Sequence, residues 1–185
     1  MIIIKSMVDE VVYKKFPDKN FNVNSLKSYN RYQETEVNLR FVEGKYICKD
    51  EPFIEDWNDT ELKKRAENIL YAMEKNSIGY VVYYKNKVIG FAYLGTEVFG
   101  SKNQYIELIM FHVSNEFRNQ KIGKKLFNLI CEDARKLKVQ KLYISANSAI
   151  ETQKAYKALG CIFASEINKK IIESNPFDVQ LEYIL

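Results

Sequence analysis

Hydrophobic positions along the chain follow two rhythms, a period of two and a period of three to four, and their order lays out the elements. Met1 to Lys5 reads as a strand, and Val23 to Gln33, rich in polar and aromatic residues, as a short helix and loop. Val37 to Val42 and Lys45 to Cys48 flank Glu43-Gly44, which predicts a hairpin. Asn58, with Glu61 three residues later, predicts a capping box, and Leu62, Ala66, Ile69, Leu70 and Met73 then continue one helical stripe. Gly79 to Tyr84 and Lys87 to Leu94 are predicted strands around Lys85-Asn86, and Gln104 to Val113, free of glycine and proline, is another. The period then changes: Ile122, Leu126, Leu129, Ile130, Ala134 and Leu137 recur at spacings of three and four, followed by a strand from Lys141 to Ser145. Ser148 and Glu151 predict a second capping box and Gly160 a helix end, so that Thr152, Ala155, Tyr156 and Leu159 share one face. Phe163 to Ile167 and Asp178 to Leu185 read as closing strands separated by Asn175-Pro176.

Antiparallel strands feeding a strand–helix–strand unit predict an α/β (α+β) fold, with a mixed, mostly antiparallel central sheet flanked by helices. At 185 residues and 46% hydrophobic content, the chain reads as a single domain, 1–185, with one substantial core. No apolar run approaches the roughly 20 residues that span a bilayer, and the block before the first acids is too short for a secretory signal. Cys48, Cys131 and Cys161 are an odd, widely spaced set with no CxxC pair and no histidine nearby, which speaks against a metal site or a disulfide framework and for reduced thiols in a cytoplasmic protein. The net charge of +4, from 28 basic and 24 acidic residues, is mild and interspersed, which argues against nucleic acid as a partner.

Chemistry concentrates in Val113 to Leu126, VSNEFRNQKIGKKL, where a strand ends and a basic, glycine-containing turn opens into an amphipathic helix. Free amides at a helix start, the positive end of its dipole, and the charges of Arg118, Lys121, Lys124 and Lys125 together favour a multiply charged anion such as a pyrophosphate. The run Arg118-Asn119-Gln120-Lys121-Ile122-Gly123 resembles the Arg/Gln-x-x-Gly-x-Gly/Ala signature of the GNAT superfamily of acyl-CoA N-acyltransferases. Lys121 stands at the first glycine, and a helical φ there would accommodate its Cβ. Tyr156-Lys157-Ala158-Leu159-Gly160-Cys161 is similar to the family's later Tyr-x-x-x-Gly-Phe element, with Cys161 in place of the aromatic residue.

The resemblance implies acetyl-CoA (coenzyme A) as cofactor, bound where a parallel strand pair splays open. Arg118 to Lys124, with Asn119, Gln120, Lys121, Ile122 and Gly123, would hold its pyrophosphate, and Met110, Phe111, His112 and Val113 its pantetheine arm. Asn147 would lie near the pantetheine or cap the next helix. Residues 77–185 would form the acetyl-CoA-binding core and 1–76 the acceptor-pocket half. The core motifs are also similar to those of streptothricin-type antibiotic acetyltransferases.

N-acylation requires a neutral amine, a polarised thioester carbonyl and a proton for the leaving thiolate. An alkyl amine with a pKa near ~10.4 costs about 4 kcal/mol to deprotonate at neutral pH. The resemblance suggests Glu107 as the base and Tyr156, beside the sulfur, as proton donor. Glu107 reads equally as a polar strand residue paired with a lysine, and Tyr156 as an ordinary buried tyrosine. His112, the single histidine, suits a structural role in mid-strand better than catalysis. Trp57 beside Glu55 and Asp56 suits either a cationic amine or a core anchor next to a helix cap. The functional expectation is an acetyltransferase acting by direct attack of a primary amine of a small molecule or peptide, the alternatives being a coenzyme-binding regulator without turnover and a basic binding module. The late strands offer an edge for a homodimer.

Overall fold

The computed structural model describes residues 10–185, so the strand predicted at Met1 to Lys5 lies outside the described residues. Its elements run β1 (Val11–Lys15), β2 (Gln33–Val42), β3 (Lys45–Glu55), α1 (Asp59–Glu74), β4 (Gly79–Tyr84), β5 (Lys87–Phe99), β6 (Tyr105–Val113), α2 (Ile122–Lys136), β7 (Lys141–Ala146), α3 (Ile150–Ala158), β8 (Ile162–Phe163), α4 (Lys169–Ser174) and β9 (Val179–Ile184). Seven strands form one sheet in the order β1-β4-β5-β6-β7-β9-β8, while β2 and β3 make a separate ribbon. Every neighbouring pair in the large sheet is antiparallel except β6–β7. The expected mixed, mostly antiparallel sheet is therefore present.

Each sheet face carries its own helix, as the apolar stripes require. Leu126, Phe127 and Ile130 of α2 pack with Ile106, Leu108, Leu142 and Ile144 on one face. On the other, Leu62, Ala66 and Ile69 of α1 pack with Val81, Phe91 and Tyr93. The first capping box forms: Asn58 Oδ1 accepts from the Glu61 amide and Glu61 Oε2 from the Asn58 amide. The apolar stripe of α2 stops at Ala134, and Leu137 is left 44% exposed.

Four readings differ. The second capping box does not form, because the Ser148 hydroxyl donates to Asn38 Oδ1 and accepts from Arg40, both on β2, and Ala149 takes the N-cap position without a side-chain bond. The hairpin is longer than predicted, and Pro52 is tolerated because it falls where the register shifts between Thr35 and Val37. The strand predicted to Ile167 is cut to Ile162–Phe163, since Ser165 turns inward to donate its amide and hydroxyl to the buried Glu182, and α4 follows, capped by Asn168. No helix forms within Val23 to Gln33; that segment is a chain of turns leading into β2.

Candidate active site

Parallel pairing of β6 and β7 lasts for three residue pairs, Tyr105–Lys141 to Glu107–Tyr143, and then stops. Beyond it β6 runs on to Val113 and β7 to Ala146, each still paired on its outer side and neither with the other. Divergence begins at a bulge: Leu94 faces Leu108 and Tyr93 faces Met110, leaving Ile109 as an extra residue in β6. A cleft of about 650 Å³ opens between the arms, with Ile109, Phe111 and Val113 on one side and Ser145, Ala146 and Asn147 on the other. A larger hollow of about 1230 Å³ near Lys14, Asn22 and Lys85 lies against the opposite edge of the sheet, and none of its lining residues belongs to an α-helix.

The basic turn sits at the end of the β6 arm. After a single 3-10 turn, Asn115–Phe117, Asn119 and Lys121 take φ values of 61° and 64°. Lys121 thus does not adopt the right-handed helical φ expected of it but the left-handed conformation that favours glycine, at a cost of about 1 kcal/mol. Helix α2 then starts without a side-chain cap and without an acid in its first turn. Among the described residues, nothing accepts the amide hydrogens of Ile122, Gly123 or Lys124. A helix start that is bare, lysine-rich and open to a cleft is a site for an anion. Gly123 is not required by the fold: its φ is not left-handed, and an added Cβ would meet only Phe111 and Val113 carbons at 3.6 Å. Its smallness leaves the amide open to the cleft.

Asn119, Lys121, Gly123 and Lys124 line the cleft. Ile122 is buried in the core beneath α2, and the Gln120 amide is turned back onto the Glu116 carbonyl. Arg118 reaches the cleft wall, but its guanidinium is engaged: Nε donates to the Val113 carbonyl, Nη1 to Tyr32 and Nη2 to Arg31, each at 3.1 Å. On β6, Phe111, His112 and Val113 line the cleft, while Met110 packs toward the α1 core. His112 stands edge-on to Trp57 with centroids 5.0 Å apart, and burial, with Arg31, Arg65 and Arg118 nearby, pushes its pKa down to about 3. It is a neutral packing residue.

On the other arm, Thr152, Ala155 and Tyr156 of α3 and Leu159 at its C-cap all face the cleft. Gly160, with a φ of 95°, ends the helix, and the Cys161 amide closes back onto the Tyr156 carbonyl. Tyr156 is buried against Phe111, 5.9 Å between ring centroids, and burial raises its phenol pKa, so it stays protonated at working pH. Asn147 lines the cleft, and its Oδ1 accepts the Ala149 amide in a turn ahead of α3, although it is not the N-cap residue. Glu107 sits at the root of the splay, in the last paired position, with no ion-pair partner among the described residues; burial raises its pKa. It does not line the cleft itself.

Sequence reading missed the segment Arg31 to Glu34, which forms a further cleft wall. Arg31 is 5% exposed, paired with Glu55 and Gln33, and lies 5.6 Å over Trp57, with Arg65 at 4.9 Å. Trp57 is therefore a core anchor, and the Glu55 carboxylate is taken by Arg31 and by the Asn147 amide. An arginine in a polar, aromatic run carries no periodic signal, and its partner is remote in sequence.

The model of the acetyltransferase (GNAT) family matches residues 45–161. Comparison with curated proteins finds no match. Among solved structures, a nourseothricin acetyltransferase shares 14% identity over 95% of this chain and 98% of its own, with a TM-score of 0.70. A protein from Bacillus anthracis str. Ames, assigned as a streptothricin acetyltransferase and solved with acetyl coenzyme A, shares 16% identity over 95% and 97%, with a TM-score of 0.63. PaiA N-acetyltransferase from Thermoplasma acidophilum, solved with coenzyme A, shares 16% over 66% and 71%, with a TM-score of 0.51.

Proposed function

The chain belongs to the GNAT acetyltransferase family, and from that premise we propose that it is an N-acetyltransferase, moving an acetyl group from acetyl-CoA to a primary amine of a small molecule or peptide by direct attack. The observation that carries this reading is the splay itself: a parallel strand pair that separates after Glu107–Tyr143 into a cleft ending on the bare amides of Ile122, Gly123 and Lys124. Those amides, with Asn119, Lys121 and Lys124 around them, would hold the diphosphate. The unpaired edge of β6 from Leu108 to Val113 would pair with the pantetheine amides, and Asn147 would face that arm from β7.

Acetyl-CoA, when bound, supplies an activated thioester carbonyl to the amine. Tyr156, which lines the cleft and is kept protonated by burial, would donate from its phenol oxygen as the thiolate leaves. Glu107, whose pKa burial raises and which has no ion-pair partner among the described residues, accepts the amine proton through water. The cysteines have no part, since attack is direct and burial raises the thiol pKa of Cys131 and Cys161, to about 11 and about 12. Residues 77–185 serve as the coenzyme-binding core and the preceding residues as the acceptor half. Free thiols at Cys48, Cys131 and Cys161 support a cytoplasmic setting.

Calorimetric titration with acetyl-CoA, followed by a thiol-release assay over polyamines, aminoglycosides, streptothricin and N-terminal peptides, tests the proposal. Saturable heat and amine-dependent thiol release are expected. Flat heats at millimolar coenzyme overturn it, and binding without release for any amine assigns the chain to a coenzyme-binding regulator instead.

A further inference from the structure

Arg118 opens the basic turn, yet its three guanidinium nitrogens each donate to a backbone carbonyl, two of them on the segment Arg31-Tyr32 that precedes β2. The same segment is held at the β6 arm by two further bonds, from the Asn30 amide to Ser114 Oγ and from the Asn115 amide to the Asn30 carbonyl. Three residues on, Gln33 Nε2 donates to Thr152 Oγ1 on α3, and Arg31 pairs with Glu55, which in turn accepts from Asn147 at the end of β7. One stretch of chain, Asn30–Gln33, is therefore fastened to both arms of the splay.

We infer that Asn30–Gln33 is a strap across the splay that walls off the acceptor side of the cleft, and that Arg118 is the positioning residue that clamps it rather than a ligand of the diphosphate. A guanidinium suits this task because its planar fork sets three separate nitrogens at fixed spacings, one for each carbonyl, whereas the three hydrogens of an ammonium radiate from a single nitrogen. Clamping sets where the amine meets the thioester, and a misplacement of an ångström there is enough to slow transfer severely. The inference rests on the cleft taking acetyl-CoA, and its test separates the two.

Arg118→Lys keeps the charge and Arg118→Met removes it; neither offers three spaced nitrogens to the three carbonyls. If Arg118 is the clamp, both variants raise the KM for the amine about ten-fold or more and leave the Kd for acetyl-CoA, measured by calorimetry, within about three-fold of wild type. Hydrogen exchange at Asn30 to Gln33, read without coenzyme, quickens in both. Coenzyme affinity retained in the lysine variant and lost in the methionine variant overturns the inference, as does unchanged exchange at the strap. If neither variant folds, Thr152→Val, which frees the far end, is expected to raise amine KM with coenzyme Kd unchanged; an unaltered KM overturns the clamp. A wild-type protein that binds no acetyl-CoA defeats the functional reading alone, since the exchange measurement still decides the clamp.

Discussion

Lys121 holds a backbone conformation that its side chain disfavours, and it does so where the turn must aim its amides into the cleft. Lys121→Gly is expected to raise stability by about 0.5–1 kcal/mol, read as an increase in Tm; a lower Tm would show that the lysine side chain contributes more than the strain costs. Tyr156 and Glu107 carry the proposed proton transfers. Tyr156→Phe keeps the ring against Phe111 and removes the hydroxyl, so kcat should fall by about 100-fold with little change in KM for acetyl-CoA in steady-state kinetics. Unchanged turnover would remove the phenol from the mechanism. Glu107→Gln should depress turnover and strip from the acidic limb of the pH–rate profile the component belonging to the raised carboxyl; an identical profile would return Glu107 to a structural role.

Among the elements, α2 makes the clearest compromise. Its first turn carries no acid and three nearby lysines, an arrangement that works against the helix dipole until an anion arrives. Lys125 avoids the conflict by turning its ammonium over the Tyr13 ring, 4.4 Å from the centroid, while Lys121 and Lys124 remain at the cleft. Gly123 is the position where the proposed diphosphate would come closest to the helix backbone. Because an added Cβ would meet only ordinary contacts inside the protein, Gly123→Val should leave the fold intact by circular dichroism and weaken acetyl-CoA binding by about ten-fold or more. Undiminished affinity in calorimetry would place the diphosphate elsewhere.

Across the whole molecule, two buried carboxylates set the response to acid. Burial by itself would raise the pKa of Asp133, but donation from Lys136, Lys15 and Tyr80 outweighs it and holds the carboxyl at about 2. Glu182 is likewise brought to about 2, burial being outweighed by Lys141, Tyr105 and Ser165. Both folded-state values lie below the unfolded ones, so this stability is present above about pH 4.5 and is lost as pH falls toward 2. The loss amounts to roughly 2 kcal/mol for Asp133 and roughly 3 kcal/mol for Glu182. Urea unfolding should show falling stability across that window, and Asp133→Asn should flatten it; a slope unchanged by the substitution would show that other groups carry the acid response.

Local order was legible in the residues themselves. The stripe of α2, the Asn58–Glu61 capping box, the strand ahead of the basic turn and the glycine ending α3 all rest on interactions within a few positions, which spacing and residue type dictate. The order of elements also determined the class of fold. Three features escaped because their causes lie far apart in sequence. Ser148 looked like a helix cap until β2 arrived to take its hydroxyl, the strand after Phe163 was shortened by the pull of Glu182 on Ser165, and the Arg118 guanidinium donates to the carbonyls of Arg31 and Tyr32, partners that no local spacing announces. A polar side chain goes to whichever partner the folded chain brings within reach, and that choice belongs to the tertiary structure.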